Sequence, residues 1–314
     1  MRRFDVTIVG ELNLDLILYG VPEEIPRERE LLASDLNLTL GSSSAIVAHN
    51  LASLGSRAGF ASCVGSDSFG ELALARLAAA RVDVSKVAIL PGRKTGLTVI
   101  MQRDSWRNML TYPGTMSDLR FSDLDLDYLS SASHFHLSSY YLQRGLQNDI
   151  PALFKKMKSA GLSTSLDCND DPDNRWQGGI RDALQHVDIF LPNAREAMLI
   201  TATQDVQSAA RELAKIVPLV VIKLGAEGAL ARRGDETWSS PALKLEVVDP
   251  VGAGDSYNAG FLHEYLKGSA IKSCLAAGNL AGALSVTRAG GTEAFRDARY
   301  REQFLKENRA LLPV

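Results

Sequence analysis

The run Val248-Asp249-Pro250-Val251-Gly252-Ala253-Gly254-Asp255 precedes an amphipathic stretch from Ser256 to Lys267. Gly252 and Gly254 allow the backbone to turn tightly and approach a ligand, because neither residue carries a Cβ atom. The next helix is predicted to aim its free N–H groups and positive dipole end at the same point. That geometry binds an anion, most often a phosphate. With a phosphate there, Asp255 is interpreted as a base that takes a proton from an incoming hydroxyl, so the run predicts phosphoryl transfer.

The composition is that of an ordinary globular protein. The 314 residues are 46% hydrophobic and 23% charged, and the formal net charge is −3, so no overall attraction to nucleic acid is expected. The sequence contains no cluster of Lys and Arg interleaved with aromatic residues. Its longest apolar runs are far shorter than the roughly 20 residues that cross a bilayer. Neither nucleic acid nor a membrane is therefore predicted as a partner.

The N-terminal residues and the cysteines predict a cytoplasmic protein. Residues 1–10 lack the long apolar region of a signal peptide. The three cysteines, Cys63, Cys168 and Cys274, form no C-x-x-C pair and are odd in number. Reduced thiols are the expected state of such cysteines.

Strand-like and helix-like runs alternate along the whole chain, without a repeat or a linker. The strand-like runs include 5–12, 59–64, 134–138, 162–167, 189–192 and 220–224. This alternation is typical of βαβ units around a mainly parallel sheet with helices on both faces. Near the C-terminus, helices are predicted at 256–267 and 273–288, the second ended by Gly290-Gly291. We predict a single α/β domain over residues 1–314.

Two regions interrupt the alternation. Segments 13–20 and 35–41, and segments 96–103 and 107–112, are predicted strand pairs without a helix between them, and Asp104-Ser105-Trp106 joins the second pair. We predict a small antiparallel sheet from residues 13–41 and 96–114 that stands off the main core. Its apolar side chains need cover, either from a closing active site or from a second subunit. The sequence leaves both a lid and a homodimer interface open.

Six short motifs occur in a characteristic order. They are Gly10–Asp15, Gly41–Ala45, Val64–Gly70, Pro192–Glu196, Lys223–Gly228 and Asp249–Asp255. In this order they resemble the ribokinase, or PfkB, family of carbohydrate and nucleoside kinases over nearly the whole chain. The resemblance implies a three-layer ribokinase-like fold with a small β lid. It also implies ATP and Mg²⁺ as cofactors, and a nucleotide-binding part at about residues 190–314.

The resemblance also assigns the phosphate side of the site. It implies Asp255 as the catalytic base and the amides of Gly252, Ala253 and Gly254 as an anion hole, an arrangement that commonly stabilises a transition state by a few kcal/mol. The resemblance further implies nucleotide contacts from Asn193, Lys223, Gly225, Gly228 and Asn279.

Two cation sites follow from the same resemblance. Asn193 and Glu196 are expected to hold Mg²⁺ through water, since hard oxygen ligands suit magnesium. A helix start with Asn193 as the cap and Glu196 at its third position is the alternative. A K⁺ site is implied, mostly through backbone carbonyls, at Asp249, Val251, Ser285, Arg288 and Gly290.

On the acceptor side, the resemblance places Asp15 against sugar hydroxyls, although Asp15 could also face water on the lid sheet. The other expected acceptor contacts are Asn13, Gly41, Ser42, Ser43, Ser138 and Arg103. Ribokinases have a G-G-K-G-A-N run, whereas this chain lacks the lysine and has Ile46 in place of the asparagine, which argues against ribose itself. Asp167 and Asn169 are candidates to support this pocket, or members of a polar loop.

Several functions stay open. The first is phosphorylation of a hydroxymethyl group of a sugar or sugar-like molecule, and the second is a nucleoside kinase. Sugar acids or phosphates would require a lid cation, for which Lys94, Arg103 and Arg107 are candidates. A non-catalytic binding protein is disfavoured because a binder needs no base, and an oxidoreductase because no G-x-G-x-x-G run is present.

Overall fold

A nine-stranded sheet forms the centre of the computed structural model, which describes residues 2–22, 24–103, 106–176 and 179–308. The strands of the chain are β1 Phe4–Val9, β2 Asn13–Tyr19, β3 Asp35–Leu40, β4 Ala58–Gly65, β5 Asp83–Leu90, β6 Gly96–Arg103, β7 Trp106–Tyr112, β8 Ala132–Leu137, β9 Ser163–Leu166, β10 Ile189–Phe190, β11 Leu219–Lys223, β12 Ala229–Arg233 and β13 Glu236–Ser240. The order in the large sheet is β13-β12-β11-β10-β9-β8-β1-β4-β5. Its strands are parallel from β11 to β5, and β12 and β13 are antiparallel.

Helices cover both faces of this sheet. They are α1 Ser43–Ser53, α2 Ser68–Ala79, α3 Leu126–Ser130, α4 Ile150–Ser159, α5 Ile180–Leu184, α6 Ala194–Thr201, α7 Val206–Ala214, α8 Ala253–Leu266, α9 Ile271–Ser285, α10 Glu293–Arg296 and α11 Ala298–Asn308. Two large apolar clusters result, one around Phe135 and Phe154, the other around Phe60 and Phe261. None of the helices in the described ranges has the length and apolar character needed to cross a membrane. The predicted α/β architecture is confirmed.

The second sheet has four strands in the order β3-β2-β6-β7. Its outer pairs are antiparallel, as predicted, whereas the central strands β2 and β6 run parallel. A parallel pair requires a long crossover, and here the intervening residues 20–95 carry β3, α1, β4, α2 and β5. Of the predicted turn at 104–106, Asp104 and Ser105 lie outside the described residues, and Trp106 begins β7.

The small sheet lies over the signature run. Ile17 and Ile100 of this sheet form a buried apolar cluster with Val251. The Asn37 amide donates to the Ala289 carbonyl at 3.1 Å. These contacts hold the strands of the small sheet against the turn that precedes α8.

Helix α8 begins three residues earlier than the sequence predicts. Gly252 has φ +73° and precedes the first helical residue, Ala253. A left-handed residue at this position ends the incoming turn and starts the helix at once. Asp255 therefore lies inside the first helical turn rather than before it.

Candidate active site

The candidate site lies at the carboxyl edge of the large sheet, where open α/β sheets bind ligands. Residues from the ends of β1, β8, β9, β10 and β11 meet the start of α8 at this edge. The small sheet contributes a further wall from above.

Gly252 occupies a position that requires glycine. A Cβ atom there would lie 2.5 Å from the Gly291 Cα and 3.3 Å from the Ile46 Cδ1, and φ is +73°. Ile46 thus fills the space behind the turn with an apolar side chain that is 2% exposed.

The first turn of α8 supplies the predicted anion-hole amides. No side chain caps this end of the helix, and the first three amides of a helix have no partner within it. The Ala253 amide is 3.3 Å from the Pro250 carbonyl, so it is partly engaged. Gly254 is exposed at the start of α8.

Asp255 lies in the cleft near Ser43. It is partly buried, and the Ser43 hydroxyl lowers the pKa of its carboxyl group. Burial raises the pKa of Asp255 to about 7 and the nearby Asp167 charge adds to this, while the Lys223 ammonium and the Ser43 hydroxyl oppose the rise. A carboxyl group with a pKa near the working pH is suited to general base catalysis.

Lys223 lies at the centre of the site. Its Nζ is 2.9 Å from Asp167 Oδ2 and 3.3 Å from the Asn258 Oδ1. A Cβ atom on Gly254 would lie 3.6 Å from the same Nζ. Burial lowers the pKa of Lys223, but the carboxylates of Asp167 and Glu196 outweigh burial, so the net shift is upward and the ammonium stays charged.

Asn258 was not predicted from the sequence. It is fully buried, and its amide also donates to the Asp167 carboxylate. Asn258 follows Asp255 by three positions on α8, so the two side chains share one helix face. The three-residue spacing from Asp255 is the sequence feature that could have identified Asn258.

Asn193 and Glu196 form a reciprocal cap at the start of α6. The Asn193 side chain accepts from the Glu196 amide at 2.9 Å, and Glu196 Oε2 accepts from the Asn193 amide at 2.8 Å. The alternative of a helix cap is thus present in the structure. Cys168 is buried with its Sγ 3.5 Å from Glu196 Oε2. Burial and the Asp167 charge raise the pKa of Glu196.

The donor set at this point is compatible with a divalent cation. Ligand atoms of Asp167, Cys168 and Glu196 lie within 4.8 Å of one another, and all three residues are buried. The two carboxylates are hard donors of the type that magnesium uses, often with several waters retained.

Asp15, on β2 of the small sheet, and Gly41 are two predicted acceptor contacts that lie side by side. Asp15 is 7% exposed, so it does not face water. A Cβ atom on Gly41 would lie 2.6 Å from the Asp15 Cγ, so glycine gives this carboxylate its space. Burial raises the pKa of Asp15 to about 7, the Asp249 charge adds to this, and Thr98 and Arg107 lower it. Asn13 is buried, and its Oδ1 has no hydrogen-bond partner within the described chain.

Ser42 and Ser43 begin α1 in different roles. Ser42 has φ +70° and donates through its hydroxyl to the Glu11 carbonyl. Ser43 faces the cleft, where Asn169 donates to its hydroxyl at 3.1 Å. Asn169 also donates to Ser139 Oγ at 3.3 Å. The loop after β9 therefore contacts Ser43. This contact agrees with the interpretation that Asn169 supports the proposed acceptor pocket.

Glu11 is a buried carboxylate that the sequence analysis did not select. It is 2% exposed and accepts from Ser44 at 2.9 Å, Ser139 at 2.8 Å and Gln143 at 2.5 Å. Burial raises the pKa of Glu11, and these hydroxyl donors oppose the rise. The place of Glu11 in the motif Gly10–Asp15 could have identified it as a site residue. Its hydrogen-bond donors, however, come from two other parts of the chain.

Two predicted acceptor contacts lie elsewhere. The Ser138 hydroxyl is buried against the His136 Nε2 at 2.8 Å, and its neighbour Ser139 contacts Glu11 instead. Arg103 ends β6. Because Thr98 pairs with Asp15 and side chains alternate along a strand, Arg103 extends from the opposite face of the small sheet.

Of the three candidate cations, Arg107 shares a face of the small sheet with Asp15. Arg107 on β7 pairs with Gln102 on β6. Gln102 is four residues from Thr98, which pairs with Asp15, so all four side chains lie on one face. The Arg107 charge lowers the pKa of Asp15. Lys94, the third candidate, is exposed before β6.

The predicted nucleotide residues divide into two kinds. Gly225 has φ +61° and open space where a Cβ would be, whereas a Cβ on Gly228 would lie 2.6 Å from the Ala242 amide nitrogen. The Asn279 amide donates to the carbonyls of Ser240 and Pro241 at 2.9 and 3.0 Å. Gly228 and Asn279 therefore hold the loop after β13, and Gly225 leaves room beside it.

Asp249 contacts two other residues of the implied K⁺ site. This buried carboxylate accepts from the amides of Val251 at 2.9 Å and Gly290 at 2.8 Å. The Ser285 hydroxyl is buried and has no partner in the described ranges. The Arg288 side chain pairs with Asp297 at 3.1 Å, so the K⁺ contact that the resemblance implies for Arg288 would have to come from its backbone carbonyl.

Comparison with known proteins agrees with this geometry. The family model for "pfkB family carbohydrate kinase" matches residues 3–298. An uncharacterized sugar kinase of Archaeoglobus fulgidus is 30% identical, over 77% of this chain and 96% of its own length. A 2-dehydro-3-deoxygluconokinase of Bacillus subtilis is 30% identical, over 84% of this chain and 86% of its own.

A solved structure shows the same fold. The adenosine kinase of Sinorhizobium meliloti superposes with a TM-score of 0.83 and 27% identity, over 96% of this chain and 99% of that one. The predicted ribokinase-like fold is confirmed by this match. The family match extends over nearly the whole chain and includes all six motifs on which the resemblance rests. The protein therefore belongs to the pfkB family of carbohydrate kinases.

Proposed function

We propose that this kinase transfers the terminal phosphoryl group of ATP to a hydroxymethyl group of a sugar or sugar-like acceptor, with Asp255 as the base. The observation that carries the proposal is the position of Asp255. It lies in the first turn of α8, beside helix amides without intrahelical partners and near the Ser43 hydroxyl of the proposed acceptor side. One carboxylate thus faces both substrates.

The chemistry follows from this placement. Asp255 accepts the proton of the acceptor hydroxyl while the hydroxyl oxygen bonds to the terminal phosphorus of ATP. The bond between that phosphorus and the oxygen that bridges it to the second phosphate breaks, and this oxygen leaves with ADP. The amides at 252–254 and the Lys223 ammonium are placed to stabilise the charge on the transferred group. The proton on Asp255 then passes to water when the product leaves.

Mg²⁺ would be held through water by Glu196, with Asn193 and Asp167 beside it. When bound, the ion would neutralise part of the negative charge on the phosphate groups of ATP. The chain itself contributes a buried, fixed pair of carboxylates, because Asn193 holds Glu196 and Lys223 holds Asp167. We assign the nucleotide-binding part to about residues 190–314, with Gly225 next to the nucleotide.

A monovalent cation such as K⁺ would lie beside the anion hole. The buried Ser285 hydroxyl without a described partner supports this assignment. Backbone carbonyls of Val251, Arg288 and Gly290 are the other donors proposed. Replacement of K⁺ by Na⁺ in the assay is expected to lower kcat.

The small sheet is proposed to act as a lid and as a homodimer interface. On the face opposite Asp15, Leu36, Leu110 and Tyr112 are 62%, 70% and 54% exposed. A second copy of this face would cover them. Light scattering on the purified protein tests this, and a monomer at all concentrations would contradict the dimer.

The acceptor is tested by thermal shift with a non-hydrolysable ATP analogue. Neutral sugars, sugar acids, sugar phosphates and nucleosides form the panel. Arg107 is the lid cation available to an acidic acceptor, whereas a nucleoside would be stabilised without it. Stabilisation by nucleosides alone would replace the sugar proposal by a nucleoside kinase.

The role of Asp255 is tested by Asp255→Asn. Loss of a general base costs about 10²- to 10⁴-fold in rate, so kcat is expected to fall by at least about 100-fold, with ADP affinity retained. Asp170→Asn is the control, because among the described residues that exposed carboxylate forms an ion pair only with the exposed Arg195. Turnover of Asp255→Asn close to wild type would remove Asp255 from its proposed role.

A further inference from the structure

Asn50 connects helix α1 to the first turns of α8 and to the Gly291 backbone that packs against Gly252. It is fully buried near the C-terminus of α1. Its Nδ2 donates to Ser256 Oγ at 2.9 Å and to the Gly291 carbonyl at 3.0 Å. Neither Asn50 nor Gly291 belongs to the proposed catalytic set, yet both contact the turn that carries it.

The orientation of the Asn50 amide is determined by its neighbours. A backbone carbonyl only accepts hydrogen bonds, so the NH₂ group must face Gly291. The Asn50 Oδ1 then faces the His49 Nδ1 at 2.8 Å, and this ring nitrogen must carry a hydrogen. Burial lowers the pKa of His49 to about 4, so the ring is neutral and its tautomer is fixed by Asn50.

The two partners of Asn50 support the anion hole from behind. Gly291 packs directly on Gly252, since a Cβ on Gly252 would lie 2.5 Å from the Gly291 Cα. Ser256 directly follows Asp255 and is fully buried. A shift of either partner would therefore move the amides of 252–254 or the Asp255 carboxylate.

The other end of α1 carries the acceptor-side turn. Ser43, the first residue of α1, lies near the Asp255 carboxylate, and Asn50 follows it by about two helical turns. Helix α1 therefore contacts the start of α8 at two separate points. These two contacts fix the distance between the proposed acceptor position and the proposed phosphate position.

We infer that Asn50 is a positioning residue that holds the anion hole and Asp255 in register with the acceptor turn. This inference rests on the proposed role of the 252–254 amides. A displacement of about 1 Å can cost roughly 100-fold in rate, and interactions realised in the transition state affect kcat more than KM. Asn50 should thus act on kcat without touching a substrate.

The test compares Asn50→Asp, Asn50→Ala and Leu51→Ala. Asn50→Asp keeps the shape but sets an oxygen against the Gly291 carbonyl, and Asn50→Ala removes the amide. Leu51 is an equally buried, apolar neighbour on α1, so Leu51→Ala controls for lost packing. We expect both Asn50 variants to lose about 10- to 100-fold in kcat with little change in the KM for ATP, and Leu51→Ala to lower the Tm without a comparable loss of kcat.

A binding measurement separates this inference from the choice of acceptor. Calorimetry with ADP, Mg²⁺ and aluminium fluoride, which mimics the transferred group, needs no acceptor turnover. Wild type is expected to bind this mixture more tightly than ADP with Mg²⁺, and both Asn50 variants to lose the gain. That result together with no turnover on any acceptor would reject the proposed acceptor class and retain the role of Asn50. Asn50 variants that keep the gain, or a wild type that shows none, would overturn the positioning role.

Discussion

The Lys223 ammonium lies 2.9 Å from Asp167 Oδ2, with only 12% and 4% of the two side chains exposed. The pair joins the end of β11 to the end of β9 and lies behind Asp255. Lys223 lowers the pKa of Asp255, and Asp167 raises it. The pair therefore sets the charge around the proposed base as well as the packing of the site.

Removal of the Lys223 charge should destabilise the fold. Lys223→Met would leave the buried carboxylates of Asp167 and Glu196 without their cation, and breaking a buried pair in this way costs about 3–5 kcal/mol. Urea unfolding measures the free energy. The exposed pair of Arg195 and Asp170 offers the control Arg195→Met, which should cost no more than about 1 kcal/mol.

A double variant completes that experiment. Lys223→Met combined with Asp167→Asn removes the unpaired charge, so part of the free energy of unfolding should return while turnover stays low. Equal decreases in the free energy of unfolding for Lys223→Met and Arg195→Met would show that the buried pair stabilises the fold no more than the exposed pair does.

The pH dependence of kcat/KM should show an acid limb near pH 7. Asp255 has a pKa raised to about 7, and only its ionised form accepts a proton. Activity should therefore rise as the pH increases through about 7 and fall about tenfold per unit below it. Initial rates from pH 5 to 9 provide the measurement.

Asp15 needs a separate control because its pKa is also raised to about 7. Asp15→Asn should retain the acid limb, although with a weaker acceptor interaction. Disappearance of the limb in Asp15→Asn would assign it to Asp15 instead of Asp255.

Substitution of Asp15 should act on the acceptor alone. Asp15 lies on β2 of the small sheet, away from the Lys223–Gly228 loop, and loss of a charge-assisted hydrogen bond costs about 1.5–3 kcal/mol. Asp15→Asn should raise the acceptor KM roughly 10- to 100-fold and leave the KM for ATP nearly unchanged. A matched second variant is Gly41→Ala, whose Cβ would lie 2.6 Å from the Asp15 Cγ. Equal effects on both KM values would place Asp15 outside the acceptor pocket.

Ser42 should tolerate glycine better than alanine. Its φ of +70° is strained for any residue with a Cβ. Ser42→Gly loses the hydroxyl but relieves this strain, whereas Ser42→Ala loses the hydroxyl and keeps the strain. The glycine variant should be more stable than the alanine variant by about 1 kcal/mol. Thermal unfolding of the two proteins decides this, and the reverse order would mean that the backbone at Ser42 is unstrained.

From the sequence alone we obtained the family, the parallel sheet and the two C-terminal helices, whose predicted ends lie within three residues of those of α8 and α9. The sequence also singled out Asp255, whose role as the base stays a prediction. These features depend on short-range information, because periodicity and a glycine turn are written in neighbouring residues. The start of α8 at Ala253 was missed, because the left-handed backbone of Gly252 is a property of the folded turn.

The contacts between distant polar groups depend on the packing of the folded chain. Glu11 finds Ser44, Ser139 and Gln143, and Asn50 finds Ser256 and Gly291, across separations that no local pattern encodes. The face on which Arg103 and Arg107 lie likewise depended on strand register, since a shift by one residue exchanges the two faces. Motif spacing locates the ends of the strands, whereas the packing of the strands against one another selects the side chains that share a site.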